Sequence, residues 1–118
     1  MDYHLLVSVV ETDQFLSATR KLMDDGDRTA LVDYLAANPT AGDLIQGTGG
    51  VRKLRWALEG RGKRGGARVI YYFHSERLPL FVLNAYAKNE SDDLRQAAKN
   101  ELRRTAKFMA ENYGRKRR

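Results

Sequence analysis

Residues Gly47 to Tyr72 read GTGGVRKLRWALEGRGKRGGARVIYY, and this stretch decides the fold. From Val51 to Leu58 the side chains alternate, with Leu54, Trp56 and Leu58 on one face of an extended chain and Lys53 and Arg55 on the other. Arg68 to Phe73 is β-branched and aromatic, a composition that suits a pleated, packed surface. Gly60, Gly62, Gly65 and Gly66 punctuate the segment between, so the two runs are expected to form an antiparallel pair joined by a glycine-rich turn. Arg52, Lys53, Arg55, Arg61, Lys63, Arg64 and Arg68 crowd this region, with Glu59 its only acid. Cations fixed on a sheet can grip a polyanion and stabilise charge developing at one of its phosphates. RNA is therefore the first substrate to consider.

Beyond the pair, His74 to Pro79 reads as a turn and Leu80 to Ala87 as a further strand. Ser91 suits a helix N-cap, followed by Asp92 and Asp93 at the positive end of the helix dipole. Leu94, Ala98, Leu102, Thr105, Met109 and Tyr113 then recur at helical spacing, and the basic tail 114–118 is expected to be flexible. Toward the N-terminus, His4 to Val10 predicts a first strand. Thr12 can cap a helix whose stripe is Phe15, Leu16, Thr19, Leu22 and Met23, broken at Asp24-Asp25-Gly26. A second helix is expected from near Asp27 to about Asn38, with Ala30, Leu31, Tyr34 and Leu35 inward and Pro39 ending it. Thr40 to Gly50 reads as a loop. The whole chain, residues 1–118, is predicted to be one α+β domain: a small antiparallel sheet with two N-terminal helices and a C-terminal helix.

The formal net charge of +6 conceals a split. Residues 1–50 carry three cations against eight acids, and residues 51–118 eighteen cations against seven acids. The basic part suggests a nucleic-acid face, with the acidic part elsewhere on the fold. The chain has no cysteine, and its two histidines, His4 and His74, lack ligand spacing, so no metal site or cofactor is expected. No apolar run approaches the roughly 20 residues that span a bilayer, and no signal sequence opens the chain, so a cytoplasmic protein without membrane contact is expected.

Gly60-Arg61-Gly62-Lys63-Arg64-Gly65 matches the dinucleotide fingerprint in letters only, because that motif needs a helix after the glycines and here a strand follows. Gly47-Thr48-Gly49-Gly50 lacks the ending of a phosphate loop, and both are read as strand connections. Lys53 and Arg55 share a face, and Arg68 on the neighbouring strand is expected to point the same way, with no carboxylate alternating among them. Helices on the far face would leave this one open to a phosphate. Trp56 and His74 read as core and surface residues. Tyr86 sits near the sheet rim, with Lys88 two residues on, where it can stack on a base or donate a proton. No Ser-His-Asp, Cys-His or paired-carboxylate arrangement stands out.

Three strings carry a family resemblance: Gly42-Asp43-Leu44-Ile45-Gln46-Gly47-Thr48-Gly49-Gly50-Val51-Arg52-Lys53-Leu54-Arg55, the run Gly62 to Phe73, and Tyr86-Ala87-Lys88-Asn89-Glu90. Together they resemble the RelE/HigB toxins of bacterial type II toxin–antitoxin systems, most of all the HigB branch. The resemblance implies a microbial-RNase-like fold and ribosome-dependent cleavage of mRNA in the A site. It also implies 2′-OH attack leaving a 2′,3′-cyclic phosphate, and neutralisation by a cognate antitoxin, in this branch usually a helix-turn-helix protein. By position it implies Lys53, Arg55, Arg68 and Lys88 as catalytic residues. Arg52, Arg61, Lys63, Arg64 and Tyr86 are the expected contacts to RNA and ribosome. Where many members carry a further basic or acid–base residue, this chain has Asn89, Asp92 and Asp93. The rival readings are a ParE-like gyrase-inhibiting toxin and a non-enzymatic nucleic-acid-binding module.

Overall fold

The alternation in the basic stretch is realised as a β-hairpin at the centre of the sheet. The structure is a computed structural model and describes residues 6–58, 66–88 and 96–116. Its elements run β1 (Val9–Glu11), α1 (Asp13–Thr19), α2 (Asp25–Ala37), β2 (Asp43–Leu44), β3 (Val51–Trp56), β4 (Ala67–Tyr72), β5 (Leu80–Ala87) and α3 (Gln96–Lys116). The strands form one mixed sheet in the order β1-β5-β4-β3-β2. The β2–β3, β3–β4 and β4–β5 pairs are antiparallel, and β1 lies parallel to β5. This is the expected α+β fold, with β2 as an added edge strand.

Period-two alternation sorts β3 to β5 onto two faces, and each face has its own core. Leu54, Val69, Tyr71, Leu80 and Val82 pack with Phe15, Leu22, Met23, Leu31 and Leu35 from the α1 and α2 region. Val51, Ile70, Tyr72, Phe81 and Leu83 pack against Ala106, with Leu102, Met109, Ala110 and Tyr113 of α3 alongside. The sheet is thus sandwiched between helices. That corrects the expectation of an open face: the apolar stripe of α3 has to be buried, and it takes the face that also carries the cations.

Local chemistry explains the helix starts. Thr12 caps α1, its hydroxyl accepting from the Phe15 N–H at 3.2 Å and donating to the Val82 carbonyl at 2.8 Å. Asp24, expected to break a helix, instead caps α2 by accepting from the Asp27 N–H at 2.7 Å. An aspartate at this position satisfies an orphan N–H and complements the dipole, so the second helix starts earlier than sequence suggested. Leu31 and Leu35 are buried as expected, whereas Ala30 and Tyr34 are exposed. α3 continues to Lys116, into the tail expected to be flexible. The predicted N-cap Ser91 and the start of the first strand at His4 lie outside the described residues.

Candidate active site

β2 is only two residues long, and its shortness makes the site. Asp43 pairs with Lys53 and Leu44 with Arg52, but Ala41 and Gly42 before them stand outside the ladder, so beyond Lys53 the edge of β3 has no strand partner among the described residues. The step leaves a cleft of about 370 Å³ lined by Ala41, Gly42, Asp43, Lys53, Leu54, Arg55 and Arg68. Lys53, Arg55 and Arg68 therefore meet, as their spacing predicted. Arg55 lies directly opposite Arg68, and Arg68 directly opposite Tyr86, in a row across three strands.

The cations differ in access. Arg55 is exposed and Lys53 half-buried, but Arg68 is only 2 % exposed, with its Nη1 3.4 Å from the Ala67 carbonyl. Arg68 forms the inner wall of the cleft rather than an open surface, because Arg55 and Tyr86 flank it on both neighbouring strands. Lys88 is exposed and its N–H donates to the Gly66 carbonyl at 3.3 Å, which extends the β4–β5 ladder beyond Ala87. It stands at the same end of the sheet without lining the cleft.

The outer wall is a built structure. The Tyr71 hydroxyl accepts from the Gly42 N–H at 2.8 Å and donates to the Pro39 carbonyl at 2.9 Å. Burial pushes the Tyr71 pKa up, opposed by the Gly42 bond and the charge of Arg52. A side chain on Gly42 would sit 2.9 Å from the Tyr71 ring and 3.0 Å from the Lys53 carbonyl, so only glycine lets the loop lie this close to the sheet. Arg52 Nη1 donates to the carbonyls of Gly42 at 2.7 Å and Thr40 at 3.2 Å. Arg52, expected to contact RNA, thus holds the loop from the side of β3 opposite to Lys53 and Arg55. Behind it, Thr48 closes the turn, donating to the Ile45 carbonyl at 2.6 Å and accepting from the Val51 N–H at 3.1 Å. Gly47, Gly49 and Gly50 adopt φ of 82°, 75° and 122°, which explains the glycines of this strand connection.

Tyr86 is half-buried and lines a separate, larger and mostly apolar cleft of about 560 Å³, with Ile70, Leu83, Leu102 and Met109 between sheet and α3. Phosphate chemistry needs converging donors, and these are in the smaller cleft beside β2. Trp56 faces away from the cations and packs against Tyr34, the rings tilted at 49° with centroids 5.4 Å apart. Arg61, Lys63 and Arg64 lie outside the described residues. Among the described residues no group of His, Asp and Glu could hold a metal ion, and no helix is long and apolar enough to cross a membrane.

Sequence reading missed Asp43. It found no carboxylate alternating with the cations, and the β2–β3 register sets Asp43, from outside that run, directly opposite Lys53. The available signal was the Gly42-Asp43 pair, a close backbone approach followed by a polar residue. Two residues of strand are too few to show a period. Chemically, the cleft offers cations for a phosphate and, among the described residues, one carboxylate beside them.

Comparison with known proteins agrees with the fold. Residues 9–116 match the family model described as the RelE toxin of the RelE/RelB toxin–antitoxin system. The fold is similar to that of the E. coli toxin RelE, in a mutant with two arginines replaced by alanine, in the free state. That match has a TM-score of 0.51 and 20 % identity, and covers 72 % of this chain and 87 % of the other.

Proposed function

Because the chain belongs to the RelE toxin family, we propose that it is the toxin of a type II toxin–antitoxin pair and acts as a ribosome-dependent mRNA endonuclease. The observation that carries this reading is the convergence of Lys53, Arg55 and Arg68 on one cleft. A protein that acts only by binding another protein has no need of a phosphate site in a notch of its sheet.

In this reading the scissile phosphate enters the notch beside β3. Arg55 and Arg68 donate to the non-bridging oxygens and stabilise the charge that builds as the 2′-oxygen attacks phosphorus. Lys53 holds the 2′-OH near the line of attack, and Lys88 adds positive potential at the end of β5. The products are a 2′,3′-cyclic phosphate and a free 5′-OH. The A site of the ribosome supplies what the cleft lacks, an mRNA held in the bent geometry that attack requires. Arg61, Lys63 and Arg64 of the β3–β4 connection grip ribosomal RNA, and Tyr86, opposite Arg68 in the β4–β5 pair, adds a contact to RNA. The motif strings from Gly42 to Arg55 and from Gly62 to Phe73 support the HigB branch, with a helix-turn-helix antitoxin and action in the cytoplasm.

The test is expression of Lys53→Ala and Arg55→Ala variants, singly and together, without antitoxin. Both side chains reach solvent, so the fold should persist while growth arrest is lost, each deletion removing about 3 kcal/mol of transition-state stabilisation. Arg68→Ala is the harsher variant, because it also empties a buried site. A folded double variant that remains fully toxic contradicts the endonuclease reading. Growth arrest with intact mRNA and defective DNA supercoiling would favour gyrase inhibition.

A further inference from the structure

We propose that Asp43 is the general base of the cleavage step, a role that rests on the endonuclease reading above. Asp43 lies directly opposite Lys53 in the antiparallel β2–β3 pair, a placement that brings facing Cβ atoms to roughly 5 Å. Lys53 and Arg55 share a face of β3, and Arg68 is opposite Arg55, so the register gathers the carboxylate and all three cations on one face. All four line the same cleft.

The position of Asp43 is over-determined for a residue in an exposed edge segment. The preceding residue, Gly42, is pinned by Tyr71 through its N–H and by Arg52 through its carbonyl. The following chain is pinned by the Ile45 N–H to the Val51 carbonyl at 2.8 Å. A surface ion pair contributes at most about 1 kcal/mol and would not call for such a scaffold. A base that must meet a proton within a few tenths of an ångström does. Asp43 itself is exposed, and among the described residues no hydrogen bond or salt bridge occupies its carboxylate.

The chemistry balances without further groups. The Asp43 carboxylate takes the 2′-OH proton while the O2′–P bond forms. The P–O5′ bond breaks with its electron pair going to O5′, which takes a proton from solvent. Lys53 and Arg55 on β3 and Arg68 on β4 line the same cleft as the carboxylate, and the Tyr71 hydroxyl lies behind Gly42; the cations hold the phosphate beside the base. Lys53 is then the residue that orients the nucleophile, and Asp43 the one that deprotonates it.

The experiment compares wild type with Asp43→Asn and Asp43→Glu on ribosomes translating a defined mRNA, with single-turnover rates measured across pH. Asp43→Asn should cut about 100-fold or more slowly. It should bind ribosomes as tightly as wild type or tighter, having lost a negative charge, and melt at the same temperature. Asp43→Glu should recover part of the rate. The wild-type rate should fall on the acid side as the carboxylate protonates, and the residual Asp43→Asn rate should lack that limb. An Asp43→Asn variant that cuts at the wild-type rate, or that keeps the acid limb, overturns the assignment. A rate loss matched by an equal loss of ribosome binding overturns it too. Failure of wild type to cut translated mRNA at all would instead sink the endonuclease reading.

Discussion

Tyr71 shows how one buried hydroxyl can set the geometry of a site it never enters. It is fully buried, and its oxygen joins the Gly42 N–H to the Pro39 carbonyl, fixing the loop that forms the outer wall of the cleft. Tyr71→Phe keeps the ring and leaves both backbone groups without their partner, which should cost about 1–3 kcal/mol. A denaturation midpoint unchanged from wild type would contradict that account. Burial raises the Tyr71 hydroxyl pKa above its unfolded value. Its contribution is then fully present below about pH 10 and is lost as pH rises through the folded pKa. Stability measured in alkaline buffer should fall more steeply for wild type than for Tyr71→Phe. Arg52 carries the same lesson: its charge suggested RNA, but its two carbonyl partners make it a strut.

At the scale of elements, legibility followed the length of the pattern. β5 appears with the expected bounds, Leu80 to Ala87, and β3 and β4 within a residue or two, because each is long enough for alternation to show. The stripe Leu102, Met109 and Tyr113 placed the α3 face correctly, but a stripe says only that a face is buried and not against what. Hence the cation face was expected to be open and is in fact shared with α3. β2 was illegible since its pairing comes from Tyr71 and Arg52, residues distant in sequence. The cations were readable from Lys53, Arg55 and Arg68, while Asp43 needed the register. The contact between α1 and β5 offers a test at this scale. Thr12 both caps α1 and donates to the Val82 carbonyl, so Thr12→Ala should lower stability by about 1–2 kcal/mol and Thr12→Ser by far less. Equal unfolding midpoints for Thr12→Ala and wild type would show the tie to be idle.

Across the whole molecule the charge split becomes a layering. Asp13, Asp24, Asp25, Asp27 and Asp33 lie on or beside α1 and α2, on one side of the sheet. Lys53 and Arg55 share the other side with Lys99, Arg103, Arg104 and Lys107 of α3. A body with one acidic and one basic face is steered toward a polyanion in a single orientation, and the notch beside β2 is on the basic side. Orientation by a large RNA surface, combined with a cleft that among the described residues is too sparse to bend an RNA unaided, underlies the proposal that cleavage needs the ribosome. The direct measurement maps 5′ ends on one mRNA incubated with purified toxin, either naked or in a reconstituted translation reaction. The account predicts cuts in register with the codons of translated message, absent from the same RNA when it is naked. Equally efficient cleavage of the naked RNA, or no cleavage of either, would contradict it.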